Sequence, residues 1–299
     1  GFNDETNARN FPGLNFSRSE LRDAIALAHR RGVKILVAIN TFPRAGAVDL
    51  WHRAVDDAVA ANADALILAD VGLLDYAARR YPAQRLHVSV QAAAANADAI
   101  GFYVEAFGVR RIVLPRVLSV AEIAAIISET ACETEVFVFG GLCVMAEGRC
   151  SLSSYATGQS PNMQGVCSPA SHVVYQQENG RTKSRLGGFT INSFEIGEAA
   201  GYPTLCKGRF TTEHGTGYIF EDPVSLDAAT LLAGLREAGV TALKIEGRQR
   251  GRAYVESVVR HFRGAIDALD SGLPIDAKEL MPFTEGHATT VGAYRKTWR

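Results

Sequence analysis

The chain has 299 residues, of which 47% are hydrophobic and 21% charged, with a formal net charge of -1. That balance fits a globular protein with a sizeable core, and it argues against a partner bound through bulk positive charge. No apolar run approaches the roughly 18–20 residues that span a bilayer, and no signal peptide is visible, so a cytoplasmic protein is expected.

From residue 17 onward the pattern is regular. Ser17 and Ser19 are positioned to cap a helix over SELRDAIALAHRRG, which Gly32 ends. KILVAIN (34–40) reads as a strand, VDLWHRAVDDAVAAN as a helix and ALILAD (65–70) as a strand. GLLDYAARRYP leads to RLHVSVQ (85–91), ADAIGFYVEAFG to RRIVLPR (110–116), and SVAEIAAIISET to EVFVFG (135–140). Strands alternating with helices predict parallel β/α units. The units lack a G-x-G-x-x-G turn, which favours a (β/α) TIM-like barrel over a doubly wound sheet.

The rhythm breaks from 141 to about 206, in a stretch rich in Ser, Gly, Gln and Pro. We expect an irregular insert over 141–210 within one barrel-like domain, with GFTIN (188–192) as a strand and FEIGEAAG as a short helix. SLDAATLLAGLREAG then reads as a helix ended by Gly239, VTALKIEGR as a strand, and RAYVESVVRHFRGAIDALDSG as a long amphipathic helix. The segment 274–299 is expected to pack on the barrel or on a partner.

Four of the five cysteines fall at Cys143-x6-Cys150-x16-Cys167-x38-Cys206, while Cys132 ends a helix and reads as a packing residue. Disulfides are rare in the cytoplasm, so thiols or metal ligands are the better reading. Four thiolates suit a soft site, either tetrahedral zinc or an iron–sulfur cluster, and unrelated buried cysteines remain the plain alternative. The spacing lacks the close C-x2–4-C knuckles usual in structural zinc sites.

The segment EVFVFGGLCVMAEGRCSLSS resembles the signature of peptidase family U32, E-x-F-x-x-G-[SA]-[LM]-C-x4-G-x-C-x-[LI]-S. Glu135, Phe137, Gly140, Leu142, Cys143, Gly148, Cys150, Leu152 and Ser153 fit it, and Gly141 departs from the usual Ser or Ala. KIEGR (244–248) is similar to a second family motif. TNARNF, AINTF, HVSVQA, VLPRVLS, TGQSPN, GYPTLCKGR and TTVGAYRKTW extend the likeness along nearly the whole chain. Together they are similar to the U32-type proteins of oxygen-independent ubiquinone biosynthesis.

The resemblance implies a [4Fe-4S] cluster held by Cys143, Cys150, Cys167 and Cys206. It implies hydroxylation of a quinone-precursor ring without dioxygen, in a heterodimer with a UbiV-like U32 paralogue and with a prephenate-like molecule as oxygen donor. It also implies a first βα unit before Gly1. An RNA-hydroxylating U32 relative is the alternative, and a collagenase-like peptidase a weaker one, since neither a G-x-S-x-G elbow nor H-E-x-x-H occurs. DNA binding is not expected. Polar residues at strand ends are the catalytic candidates: Asp70, Gln91, Arg116, Glu246 and Arg248, with Asn40 beside them. Asn7, Arg9 and Asn10 are placed to reach the same mouth. The competing reading makes Arg116, Glu246 and Arg248 ion pairs that close the barrel end.

Overall fold

The computed structural model describes residues 1–8, 10, 13–145, 147–148, 150–162, 166–198, 200–247, 250–271 and 280–295. Five β/α units come first. They run α1 (Arg18–Arg30), β1 (Leu36–Ile39), α2 (Asp49–Ala60), β2 (Ala65–Leu68), α3 (Val71–Arg80), β3 (Leu86–Val88), α4 (Ala97–Phe107), β4 (Arg111–Val113), α5 (Val120–Ser128) and β5 (Glu133–Gly141).

The helix starts are encoded locally. Ser17 and Glu20 form a capping box on α1, Ser119 and Glu122 another on α5, and Asp70 and Asn96 cap α3 and α4. Each helix turns an apolar stripe to the sheet: Trp51, Ala54, Val55 and Ala58 on α2 are all buried. The strands are short and apolar on both faces, as parallel strands covered by helices are.

Strands β1 to β5 pair in chain order, each parallel to the next. A doubly wound sheet would reverse its order at a switch point; this one winds in one direction. Later elements complete the sheet: β11 (Ser225–Asp227), α7 (Leu232–Glu237), β12 (Ala242–Ile245), α8 (Arg252–Ser271) and β13 (Thr289–Thr290). Phe139 of β5 pairs with Ile245 of the parallel β12 and with Asp227 of the antiparallel β11, so those two strands flank β5 on opposite edges. Strand β13 lies parallel to β11. Helix α8 covers the core with Tyr254, Val258, Phe262 and Ala265. The described pairings give a mixed α/β sheet that is mostly parallel, and they do not close it into a barrel. Among the described residues no helix is long and apolar enough to cross a membrane.

The stretch expected to be irregular is more ordered than its composition suggests. It holds α6 (Leu152–Thr157), a three-stranded antiparallel sheet of β6 (Val173–Glu178), β7 (Arg181–Leu186) and β8 (Phe189–Phe194), and a hairpin of β9 (Arg209–Thr212) and β10 (Gly215–Tyr218). The β6–β7 turn is Asn179-Gly180, both left-handed at φ 52° and 76°, a strong hairpin signal that the polar composition masked. Two expected helices are corrected. FEIGEAAG forms a turn over its described residues 195–198, where Gly197 takes φ 82°. SLDAATLLAGLREAG begins as the buried strand β11, passes through a 3-10 turn at Ala229–Leu231 and becomes α-helical only at Leu232, because Ser225 and Asp227 complete the edge of β5.

Candidate functional site

Side chains from β1, β2, β4, β5 and β12 line one cavity of about 460 Å³, with Ala38, Ile67, Val113, Phe137 and Lys244 as its strand-borne wall. One sheet can present both β1 and β12 to a single cavity only by curling strongly around it. The volume suits a small molecule. The strand ends supply its polar groups: Asn40, Ser89, Gln91 and Glu246. Asn7, Asn15 and Arg250 add to the rim. Asn40 is held in place by the Ala8 amide, which donates to its Oδ1 at 3.0 Å, and by its own Nδ2, which donates to Ser89 Oγ at 3.2 Å. Gln91 is buried, and its Oε1 accepts no hydrogen bond.

Arg116 follows β4 and reaches over the end of β5. Its side chain is 3% exposed and pairs with Glu147, which is 2% exposed. On its other side Nη2 stands 3.2 Å from Glu246 Oε2, and the guanidinium lies 3.3 Å from the centre of the Phe137 ring. Burial opposes the Arg116 charge, but Glu246 and Glu147 hold its pKa above the ordinary value. Tyr294, from the closing TTVGAYRKTW motif, donates its hydroxyl to the Phe137 carbonyl, and burial raises its pKa. The two sequence motifs thus interlock. Lys244 Nζ donates to Glu135 Oε1 at 2.6 Å, and Glu246 N donates to Phe139 O at 2.9 Å.

The glycine pair after β5 has a specific cause. A Cβ on Gly140, whose φ is 124°, would lie 2.7 Å from Glu246 Cβ, and one on Gly141 would lie 3.1 Å from Glu246 Oε2. The departure from Ser or Ala at 141 therefore leaves room for the Glu246 carboxylate. Gly148, at φ 77°, approaches Gln91 so closely that a Cβ would stand 2.3 Å from its carbonyl oxygen.

The cysteine-bearing loops are tied to one another beside this end of the sheet. Asn162 Nδ2 donates to the Cys150 carbonyl at 2.9 Å, and Ser153 Oγ donates to the Cys167 carbonyl. Ser168 Oγ bonds the Pro203 carbonyl, and Tyr202 donates back to the Ser168 carbonyl at 2.9 Å, which joins the Cys167 loop to the turn carrying Cys206. The thiols lie within electrostatic reach of one another. Burial pushes Cys206 up to about 12, and Cys143, Cys167 and Cys150 add to the rise despite Lys207. Burial also raises Cys143, with Glu147 next in effect. Cys132 is elsewhere, packed against the core near Glu133, with its thiol pushed up to about 11 by burial.

Among the described residues no group of three or more His, Cys, Asp or Glu side chains is gathered closely enough to hold one metal ion. An iron–sulfur cube sets its four cysteine sulfurs further apart than a single ion does, because iron and sulfide atoms stand between them. The four thiols are half-buried, a soft donor set of the kind that holds zinc or an iron–sulfur cluster.

The other candidates separate. Gln91, Glu246, Asn40 and Asn7 line the cavity, and Arg116, itself outside the wall, reaches it by pairing with Glu246, whereas Asp70 accepts from Leu73 N at 2.9 Å as the cap of α3 and is not in the cavity wall. Asn10 is half-buried and also outside that wall. Arg248 and Arg9 lie outside the described residues. The sequence reading missed Glu147, Ser89, Asn15, Arg250 and Tyr294. The Ser153 hydroxyl is committed to structure, since it donates to the Cys167 carbonyl.

The profile of peptidase family U32 matches residues 3–290. The tRNA hydroxylation protein P of Escherichia coli (strain K12) is 32% identical over 91% of this chain and 64% of its own length. The 23S rRNA 5-hydroxycytidine C2501 synthase of the same organism is 29% identical over 90% of this chain and 35% of its own. This chain thus spans less than two thirds of either protein. A U32 peptidase of known structure is 22% identical, with a TM-score of 0.38 over 45% of this chain and 57% of that one.

Proposed function

Because the chain belongs to peptidase family U32, we propose that it is a [4Fe-4S]-binding subunit of an oxygen-independent hydroxylase, acting on a ubiquinone-precursor ring in the cytoplasm together with a UbiV-like paralogue. The observation that carries this reading is the meeting of two features at one end of the sheet. A cavity sized for a small molecule opens there, and the loops of Cys143, Cys150, Cys167 and Cys206 are stitched together beside it. The curled sheet is, in this reading, part of a (β/α) TIM-like barrel, with 141–210 as its cluster-binding insert.

The four cysteines would hold the cluster, which when bound supplies thiolate-ligated iron able to exchange an electron. The cavity residues have roles of their own. Phe137 and the apolar wall would take up a ring. Asn40, Gln91 and Glu246 offer hydrogen bonds that orient it, and Lys244 and Arg250 offer positive charge to a carboxylate such as that of a prephenate-like donor.

RNA is the second substrate class, favoured by the names of the curated relatives. The formal charge of -1 gives it no support. A strain lacking the protein, grown without oxygen, separates the two. Lost ubiquinone with intact RNA hydroxylation supports the quinone reading, and the reverse overturns it. Iron and sulfide measured on protein purified without oxygen test the cofactor. About four of each per chain are expected, with complete loss in Cys167→Ala or Cys206→Ala. Zinc alone, with no colour after anaerobic reconstitution, would refute the cluster.

A further inference from the structure

Residue Glu147 lies between Cys143 and Cys150, and its side chain is almost wholly enclosed. Its partner Arg116 comes from the turn after β4, not from the loop, and the same guanidinium faces Glu246 in the cavity wall. The loop is otherwise seated by close backbone approaches at Gly140 and Gly148, which carry no charge. Arg116 is also the cation whose field acts on Cys143. Its Nε and the Glu147 Oε2 are buried without hydrogen-bond partners, so ordinary satisfaction of polar groups does not account for the arrangement. A guanidinium clamped by two acids over the Phe137 ring has little rotational freedom and cannot lose its proton.

We propose that Arg116 is a positioning residue that fixes the 143–150 loop on the cavity mouth through Glu147 and sets the electrostatic environment of the cluster. This rests on the cluster reading for its second half only; the fixing of the loop stands on the ion pair itself. Arg111, at the start of β4, is the internal control. It too is paired with two glutamates, but with Glu133 and Glu135 at the other end of β5.

The test uses the full chain, purified and reconstituted without oxygen, as wild type, R116Q, R116K, E147Q and R111Q. Amide hydrogen exchange is followed in peptides spanning 142–150, and the midpoint potential is read by titration with dithionite. Exchange across the loop should rise about tenfold or more in R116Q and stay unchanged in R111Q. The potential should fall in R116Q, which removes a positive charge, and rise in E147Q, which removes a negative one. R116K should keep a near wild-type potential while loosening the loop, since a lysine lacks the planar fork. A merely structural role predicts potentials that move together or not at all.

Unchanged exchange in R116Q, or the same direction of shift in both glutamine variants, overturns the proposal. If the wild type carries no iron or sulfide, the cluster reading fails, and the exchange arm still decides the fixing of the loop. If R116Q does not fold, E147Q decides it, because that variant keeps the shape of the buried side chain.

Discussion

The two ends of strand β5 handle charge in opposite ways. At its start, Glu133 is met by Arg85 Nη2 at 2.6 Å and Arg111 Nη2 at 2.9 Å, and Glu135 by Arg111 Nη1 at 3.3 Å and Lys244 Nζ at 2.6 Å. Each acid there has two bases, and their charges hold both carboxyls below the usual glutamate range despite burial. At the far end the Arg116 guanidinium stands between Glu147 and Glu246, and Arg116 Nε and Glu147 Oε2 are buried without hydrogen bonds. The first arrangement is redundant and partly solvated, and it clasps four strands. The second is enclosed and under-satisfied, and it is found where the cysteine loop and the cavity meet. Buried polar atoms left unsatisfied in this way are retained where they serve a site.

Truncating one arginine at each end should give the largest contrast. Arg116→Met strands Glu147 as a buried, unpaired carboxylate, and we expect a loss of about 3–5 kcal/mol in urea unfolding. Arg111 is 22% exposed, and its two acids keep Arg85 and Lys244, so Arg111→Met should cost about 1 kcal/mol or less. Equal losses would show that the two ends are energetically alike.

A pair of glycines sharpens the same contrast with a smaller effect. Gly108, between α4 and β4, has φ 66° and nothing within 4 Å of an added Cβ. Gly148 has nearly the same φ, but its Cβ would meet the Gln91 carbonyl oxygen at 2.3 Å. Alanine at 108 pays only the left-handed strain, about 1 kcal/mol. Alanine at 148 must also lift the loop from the sheet, for a total of about 3 kcal/mol. Thermal unfolding of both variants would check this; a similar shift in each would mean that the loop is not tightly seated.

The sequence was most informative where local rules act alone. The Ser17 cap and the apolar period placed five helices and five parallel strands, and Asp70, Asn96 and Ser119, not read as caps in the sequence, cap three of those helices. The rules failed where a tertiary partner overrides them. SLD looks helical beside ATLLAGLREAG, yet it pairs with Phe139, Gly140 and Gly141 because β5 outruns β4 and offers an open edge. The cysteines could be grouped by type and spacing alone, and Arg116 and Glu246 were found as strand-end charges. Glu147 was not found, because nothing in a polar loop marks which acid will be enclosed. The two glycines after β5 gained a cause only once Glu246 was placed opposite them.

The smallest contrast concerns pH and isolates the redundant end. His87 on β3 is 1% exposed, its Nε2 accepts from Arg85 Nε at 2.9 Å, and its Nδ1 has no partner. Burial lowers its pKa to about 4, helped by Arg111 and Arg85 and opposed by Glu135 and Glu133. In the unfolded chain it returns to about 6.5. Above that value both states are neutral, and the native contribution is fully present. As pH falls, the unfolded chain takes the proton first, so stability drains away between about 6.5 and about 4. The loss should reach about 2 kcal/mol by about pH 5, before Glu133 and Glu135, whose pKa values lie below the glutamate range, begin to protonate. His87→Gln removes the titrating group and should flatten this limb of the curve. Arg116→Gln should leave the limb in place while lowering the whole curve, because an arginine carries its charge throughout this range. If the limb survives His87→Gln, the acid sensitivity lies outside the Arg85–His87–Arg111 ladder, and the clasp at the start of β5 does not set the acid limit of the fold.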